Sequence, residues 1–199
     1  MNTPIVPPFY PARPVNGGPL DKALPKSGEW THDGKYNGWR AWVHNPTGLM
    51  FNRKLEPLSI SHEFKPALTI LHQLPWEWSD VEALERRHKI GQGSLILLDS
   101  PMEGIFDRRR MFLRAAAIDL GIPEHTNPAL PLGNHQVYLP LWDDGDPLLF
   151  YQSLQAANRK LGCEFWEGVV AKRNDSLYPR QRRSAELEFP FWMKHRWAF

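Results

Sequence analysis

Lys35 stands in the stretch Gly34-Lys35-Tyr36-Asn37-Gly38-Trp39-Arg40, between two glycines and ahead of an arginine. Glycine lets the backbone turn tightly and come close to a ligand. The residues that follow, 39–44, read as a strand, so the sequence places Lys35 at a loop-to-strand junction and aims it at a pocket. A K-x-x-G spacing is common by chance. Two later stretches give it company: Trp166-Glu167-Gly168-Val169-Val170-Ala171-Lys172-Arg173 and Phe191-Trp192-Met193-Lys194-His195-Arg196. Lys194 and Arg196 alternate along a strand and share one face, while Glu167 and Lys172 lie at opposite ends of another. An amine, a carboxylate and several cations suit chemistry at phosphorus. The amine must lose its proton before it attacks, which burial or nearby cations favour by depressing its pKa. Charge spread over phosphoryl oxygens in the transition state rewards positioned cations.

Several elements must hold these residues in place. Residues 39–44 and 49–53 form a hairpin about the turn Asn45-Pro46-Thr47-Gly48. Apolar residues at helical spacing predict a helix over 63–74 that Pro75 ends. A short strand over 78–84 puts Asp80 and Glu82 on one face. Residues 94–98 suit a buried strand. Asp107 caps a helix to about Leu120, stopped by Gly121. A strand follows over 136–141. Asp146 and Pro147 open a helix to about Leu161, closed by Gly162. Residues 167–172 and 191–197 are the last strands. The sum is an α+β fold with a mainly antiparallel β-sheet core and helices packed on it. Residues 1–28 are rich in proline and glycine and read as an extended arm; residues 29–199 form the domain.

The composition narrows the class. With 199 residues, 42% hydrophobic and 23% charged, the chain has the balance of a soluble globular domain. A net charge of +2 does not announce a nucleic-acid binder, so any basic surface has to be a local groove. One cysteine, Cys163, excludes a disulfide framework and a multi-cysteine zinc site within the chain. No apolar run approaches ~20 residues, and the N-terminus lacks a secretory pattern, so the expectation is a cytoplasmic protein with no membrane partner. Arg108-Arg109-Arg110 reads as a solvated helix face rather than a nucleic-acid contact.

The ordered stretches resemble the covalent nucleotidyltransferases, the superfamily of ATP-dependent DNA and RNA ligases and mRNA capping enzymes. Lys35 to Arg40 is similar to motif I, Trp166 to Arg173 to motif IV, and Trp192-x-Lys194-x-Arg196 to motif V. Asp80-Val81-Glu82 resembles the ligase D-G-E segment, and Phe51-Asn52-Arg53 the segment whose arginine reads the nick phosphate. Leu98-Asp99 falls where an aromatic residue and Asp are usual, and Asn37 stands where motif I commonly has Asp. The resemblance implies a ligase nucleotidyltransferase domain of ATP-grasp-like type, without an OB-fold because the chain stops shortly after Arg196. It implies Lys35 as the nucleophile, with Lys194 and Arg196 assisting it. Asp33, Arg40, Glu82, Leu98 and Lys172 would bind the nucleotide, with Glu82 accepting from a ribose hydroxyl. Arg53 and Arg182 would contact nucleic acid, and Glu167 would hold a divalent metal.

The activity implied is ATP-dependent polynucleotide ligation. ATP serves as AMP donor, Mg2+ or Mn2+ as metal, and nicked DNA or another 5′-phosphorylated nucleic acid as partner. Ser176, Tyr178 and Arg182 look more like a DNA ligase than a capping enzyme. RNA ligation is the enzymatic alternative, and a non-catalytic nucleic-acid-binding relative, motivated by Asn37 and Leu98, is the alternative of another class. A protein partner supplying a clamp is also implied.

Overall fold

In a computed structural model, residues 4–18, 29–84, 89–182 and 187–197 are described. The strands are β1 (Pro14–Asn16), β2 (Trp30–Tyr36), β3 (Trp39–His44), β4 (Leu49–Asn52), β5 (Trp78–Leu84), β6 (Ser94–Asp99), β7 (Val137–Tyr138), β8 (Trp142–Asp143), β9 (Trp166–Arg173) and β10 (Phe189–Arg196). The helices are α1 (Lys65–Leu71), preceded by a 3-10 turn over Ser59–Phe64, α2 (Phe106–Asp119) and α3 (Pro147–Leu161). Two open five-stranded sheets result, ordered β1-β10-β9-β2-β8 and β4-β3-β5-β6-β7. Pairing is antiparallel except between β1 and β10 and between β6 and β7.

Three apolar clusters hold the layers. On the second sheet, Ala41, Val43, Val81, Ala83, Leu95 and Leu97 face Ala67 and Leu71 of α1 and Leu113 and Ala117 of α2. On the first, Trp166 and Val169 pack with Tyr36 against Phe150, Tyr151, Leu154 and Ala157 of α3. Between the sheets, Trp42, Phe51, Trp78, Phe106, Tyr178 and Trp192 form an aromatic seam that Phe9 completes. Large aromatic rings here bury much area and meet edge to face.

The structure departs from the sequence reading at several elements. Lys35 lies inside β2 rather than in a loop ahead of a strand. The helix expected over 63–74 is shorter, with α1 covering only Lys65–Leu71 after the 3-10 turn. Helix α2 starts at Phe106, and its N-cap, Ile105, makes no side-chain cap hydrogen bond, so Asp107 sits in the first turn instead of capping it. The strand expected over 136–141 is shorter, with β7 covering only Val137–Tyr138, and the two-residue β8 follows beyond it. By contrast, Asp146 caps α3 by accepting from the amides of Leu148 and Leu149 at 2.8 and 3.1 Å, and Gly162 closes it in the left-handed conformation.

The N-terminal arm is bound to the domain along its described length. Proline at the first position of an edge strand leaves the ladder intact, and Pro14–Asn16 pairs parallel with β10. Residues 19–28 of the expected arm lie outside the described residues. Among the described residues no helix is long and apolar enough to cross a membrane.

Candidate functional site

Register on the first sheet builds a grid of side chains on its inner face. Thr31, Lys172 and Trp192 form one row, Asp33, Val170 and Lys194 the next, and Lys35, Gly168 and Arg196 the third. Paired residues point to the same side, so the three strands that carry the sequence motifs present them together. Gly168 leaves a gap between Lys35 and Arg196. Its φ is +143°, and a Cβ there would lie 1.9 Å from the His195 carbonyl oxygen, so only glycine fits.

Glu167 fills that gap by way of a bulge. Lys35 pairs with Gly168 and Tyr36 with Trp166, which leaves Glu167 as the extra residue on β9. A bulge re-aims the side chains around it. Trp166 turns to the α3 side, and the Glu167 carboxylate meets the Lys35 ammonium and, at 3.0 Å, the Arg196 guanidinium. Gly34 lets β2 approach Trp166 closely, since a Cβ at Gly34 would come within 2.5 Å of the indole.

The second sheet supplies the facing wall. Arg40 pairs with Glu82 and Trp42 with Asp80 across β3 and β5. Asp80 is fully buried and is held by Arg40, whose Nε donates to Oδ1 at 2.7 Å, and by the Tyr178 hydroxyl, which donates to Oδ2 at 2.6 Å. Arg40 therefore spends one edge of its fork on Asp80 and keeps the rest at the cavity. Burial pulls the Arg40 pKa down, and the Asp80 carboxylate more than offsets it, leaving the group raised and charged. Burial pushes the Glu82 carboxyl up to about 7, against the opposing effect of Lys35 and Arg40. Gly38 brings the β2–β3 turn against Glu82, within 2.8 Å of its Cγ for an added Cβ.

Between the walls lies a cavity of about 550 Å³ lined by Asp33, Lys35, Arg40, Arg53, Glu82, Leu98, Lys172, Lys194 and Arg196, among others. That volume is within the usual range for a small-molecule site. Lys172 is buried, pairs with Asp33 at 2.7 Å, donates to the Leu98 carbonyl at 3.2 Å, and lies over the Trp192 and Phe106 rings. Desolvation, then Arg196 and Arg13, holds the Lys194 pKa below its ordinary value. Arg53 is exposed at the cavity rim.

Of the residues singled out from the sequence, the cavity thus brings together Asp33, Lys35, Arg40, Arg53, Glu82, Leu98, Lys172, Lys194 and Arg196. Glu167 reaches it through its contacts with Lys35 and Arg196. Arg182 does not line it and is exposed on the segment after β9. Asn37 is likewise not part of the wall; its amide donates to the Glu164 carbonyl at 2.9 Å, which an aspartate could not do. Asp80 serves as a buried anchor rather than as part of the cavity wall. Arg109 is buried and paired with Asp99 rather than on a solvated helix face.

Sequence reasoning missed Arg13, Asn52, Lys54 and Trp192 as parts of the wall. For the arm residue no local pattern could have signalled it. Trp192 lay inside the motif already quoted, two residues before Lys194 and therefore on its face.

No protein-family model matches this sequence, and no curated protein matches it. Solved structures do. The ligase domain of M. tuberculosis LigD superposes with a TM-score of 0.61 at 18% identity over 96% of this chain and 59% of that one. A mycobacterial DNA ligase D complexed with ATP and MES gives 0.57 at 19%, over 96% and 60%. The Chlorella virus DNA ligase-adenylate gives 0.58 at 14%, over 94% and 69%. The chain thus spans about three fifths of the two mycobacterial chains. These likenesses show the fold, that of the DNA-ligase domains compared.

Proposed function

We propose that this chain is an ATP-dependent polynucleotide ligase whose nucleophile is Lys35. The observation that carries the reading is the third row of the grid, where Lys35, Glu167 and Arg196 converge at a cavity of nucleotide size. The Lys35 Nζ forms a bond to the α-phosphorus of ATP while the bond from that phosphorus to the bridging oxygen breaks, and pyrophosphate leaves with the electron pair. Glu167 Oε2 touches Nζ and is placed to take the proton that the ammonium must lose. Lys194 and Arg196 face the same space and offset charge on the phosphoryl oxygens.

A 5′-phosphate oxygen then attacks the lysyl-bound phosphorus, and the N–P bond breaks to restore Lys35. A 3′-hydroxyl oxygen displaces AMP from the activated end and joins the strands. Glu82 accepts from a ribose hydroxyl, Leu98 and Val170 pack on the base, and Lys172 contacts phosphate. Arg53 at the rim and Arg182 beyond it meet nucleic acid.

A divalent cation fits this site as a one-carboxylate ligand set. Mg2+ commonly takes one or two carboxylates together with substrate phosphates. Glu167 supplies the carboxylate, and the described residues contain no cluster of three or more metal-ligating side chains. When bound, Mg2+ or Mn2+ would polarise the phosphoryl oxygens. The structures compared are DNA ligases, which favours nicked DNA over RNA as the acceptor, with a protein partner covering the duplex included in the proposal.

The test is incubation with α-labelled ATP and magnesium, followed by denaturing electrophoresis and intact mass. A single AMP adduct is expected on the wild type and none on Lys35→Ala. Protein that carries no adduct, fresh or after incubation, would overturn the reading in favour of a non-catalytic nucleic-acid-binding relative.

A further inference from the structure

The N-terminal arm is built into the wall of the cavity. Phe9 is buried in the aromatic seam between the sheets, and Ala12 is 1% exposed. The amide of Tyr10 donates to the Gln181 carbonyl at 2.9 Å, and that of Ala12 to the Tyr178 hydroxyl at 3.2 Å. The amide of Phe189 donates to the Arg13 carbonyl at 2.7 Å, and that of Gly17 to the Lys194 carbonyl at 3.0 Å. Arg13 is therefore fixed on both sides, and its backbone is tied to the strand that carries Lys194 and Arg196. An added Cβ on Gly17 would come within 2.2 Å of the buried His195 ring, so the arm lies flush on β10.

We propose that Arg13 is a phosphate-binding residue of this site, supplied by the arm to the cavity that holds Lys194 and Arg196. The inference rests on the reading of the cavity as a nucleotide and nucleic-acid site. Arg13 lines the cavity with Lys194, Arg196 and, across the opening, Arg53 and Lys54. Consistent with that shared lining, Arg196 and Arg13 both press the Lys194 pKa downward, after desolvation, with Glu188 acting the other way. A phosphate group entering the cavity would meet several of these cations at once, and arginine can engage it with two parallel hydrogen bonds where lysine offers a point charge. Two sources carry such a group: the triphosphate tail of the nucleotide and the 5′-phosphate of a nucleic-acid end.

The experiment measures equilibrium binding, not turnover. ATP is compared with adenosine by calorimetry, and a 5′-phosphorylated nicked duplex with its 5′-hydroxyl counterpart by fluorescence anisotropy. The proteins are the wild type, Arg13→Ala, Arg13→Lys and Gly17→Ala, each checked by thermal melting. Losing a charge-assisted hydrogen bond is expected to weaken the phosphorylated ligand about tenfold. The unphosphorylated one should change less than about twofold by the same measure. Arg13→Lys should recover part of the loss, and Gly17→Ala, which displaces the arm with Arg13 intact, should reproduce it. Loss confined to ATP assigns Arg13 to the triphosphate; loss confined to the nick assigns it to the 5′ end. Equal effects on both members of each pair, or no effect on either, overturn the proposal. AMP-adduct formation on the wild type is scored separately. Phosphate selectivity that depends on Arg13 in a protein forming no adduct would keep this inference and sink the catalytic one.

Discussion

At the scale of single residues, Glu82 has the clearest pH signature. Burial pushes its carboxyl up to about 7 from an ordinary value of 4.5. The folded chain then holds the proton more tightly than the unfolded chain does. Its contribution to stability is complete below 4.5 and is lost as pH rises through about 7. Allowing for partial exposure, the loss is on the order of 2 kcal/mol. Urea titrations across this range should show wild-type stability falling relative to Glu82→Gln, whose side chain does not titrate. In the proposed nucleotide role the ligand effect has the opposite sign, because a carboxylate accepts a hydroxyl hydrogen bond better than the acid does. Adenosine, which carries no phosphate to titrate, should bind more tightly as pH rises through about 7 to the wild type but not to Glu82→Gln. Flat profiles for the wild type would remove Glu82 from the proposed nucleotide site. Gly168 makes a sterner demand. At φ +143°, with the His195 carbonyl 1.9 Å from the place of a Cβ, Gly168→Ala must move β10 or fail to fold. A melting temperature within a degree or two of wild type would show that the bulge is not as constrained as its geometry implies.

At the scale of elements, strands β3 to β6, β9 and β10 were legible, and β1 and β2 were not. Strands β9 and β10 carry the quoted motifs, and the two-residue spacing of Lys194 and Arg196 let one face of β10 be read directly. Strand β2, Trp-Thr-His-Asp-Gly-Lys-Tyr, escaped because its inner face is polar and lines the cavity, which removes the alternation that marks a half-buried strand. The bulge at Glu167 could not be read either, since nothing local separates it from a regular strand, yet it decides that the carboxylate faces Lys35. Strand β1 was hidden by Pro14 and the proline-rich run around it, which argue against an inner strand but permit an edge. Tyr178 anchors that edge: its hydroxyl donates to Asp80 and accepts from the Ala12 amide. Burial holds the Tyr178 pKa well above its ordinary value, so it remains a donor. Tyr178→Phe strands the Ala12 N–H and takes one donor from Asp80, at a cost of about 1–3 kcal/mol. Limited proteolysis should then cut the arm near residues 9–16 faster than in the wild type, while the remainder stays resistant. Unchanged cleavage would mean that the β1–β10 ladder and Phe9 hold the arm without that hydrogen bond.

At the scale of the whole molecule, the division into two sheets was not legible at all, and what joins them sits where the sequence suggested a solvated patch. Arg109, on α2, is fully buried. It donates to both Asp99 oxygens on β6 at 3.0 and 2.9 Å, and to the carbonyls of Gly104 and Ser176 at 2.6 and 3.2 Å. Asp99 belongs to the second sheet and Ser176 to the segment leaving β9 of the first, so one guanidinium ties the halves on either side of the cavity. Removing one partner of a buried pair costs about 3–5 kcal/mol because the other is left charged and unpaired, whereas replacing both can be nearly neutral. Arg109→Met should therefore destabilise by about that amount. Adding Asp99→Asn, which keeps an acceptor for the Ser100 amide without the charge, should restore much of the loss. Stability and binding should then part ways. The double variant regains its unfolding midpoint, but the Gly104 and Ser176 carbonyls still lack their donor, and the walls that position Leu98 and Lys172 are less firmly joined. ATP affinity should stay below wild type after stability returns. If affinity returns with it, Arg109 acts only through the charge on Asp99. If neither returns, its backbone contacts dominate both.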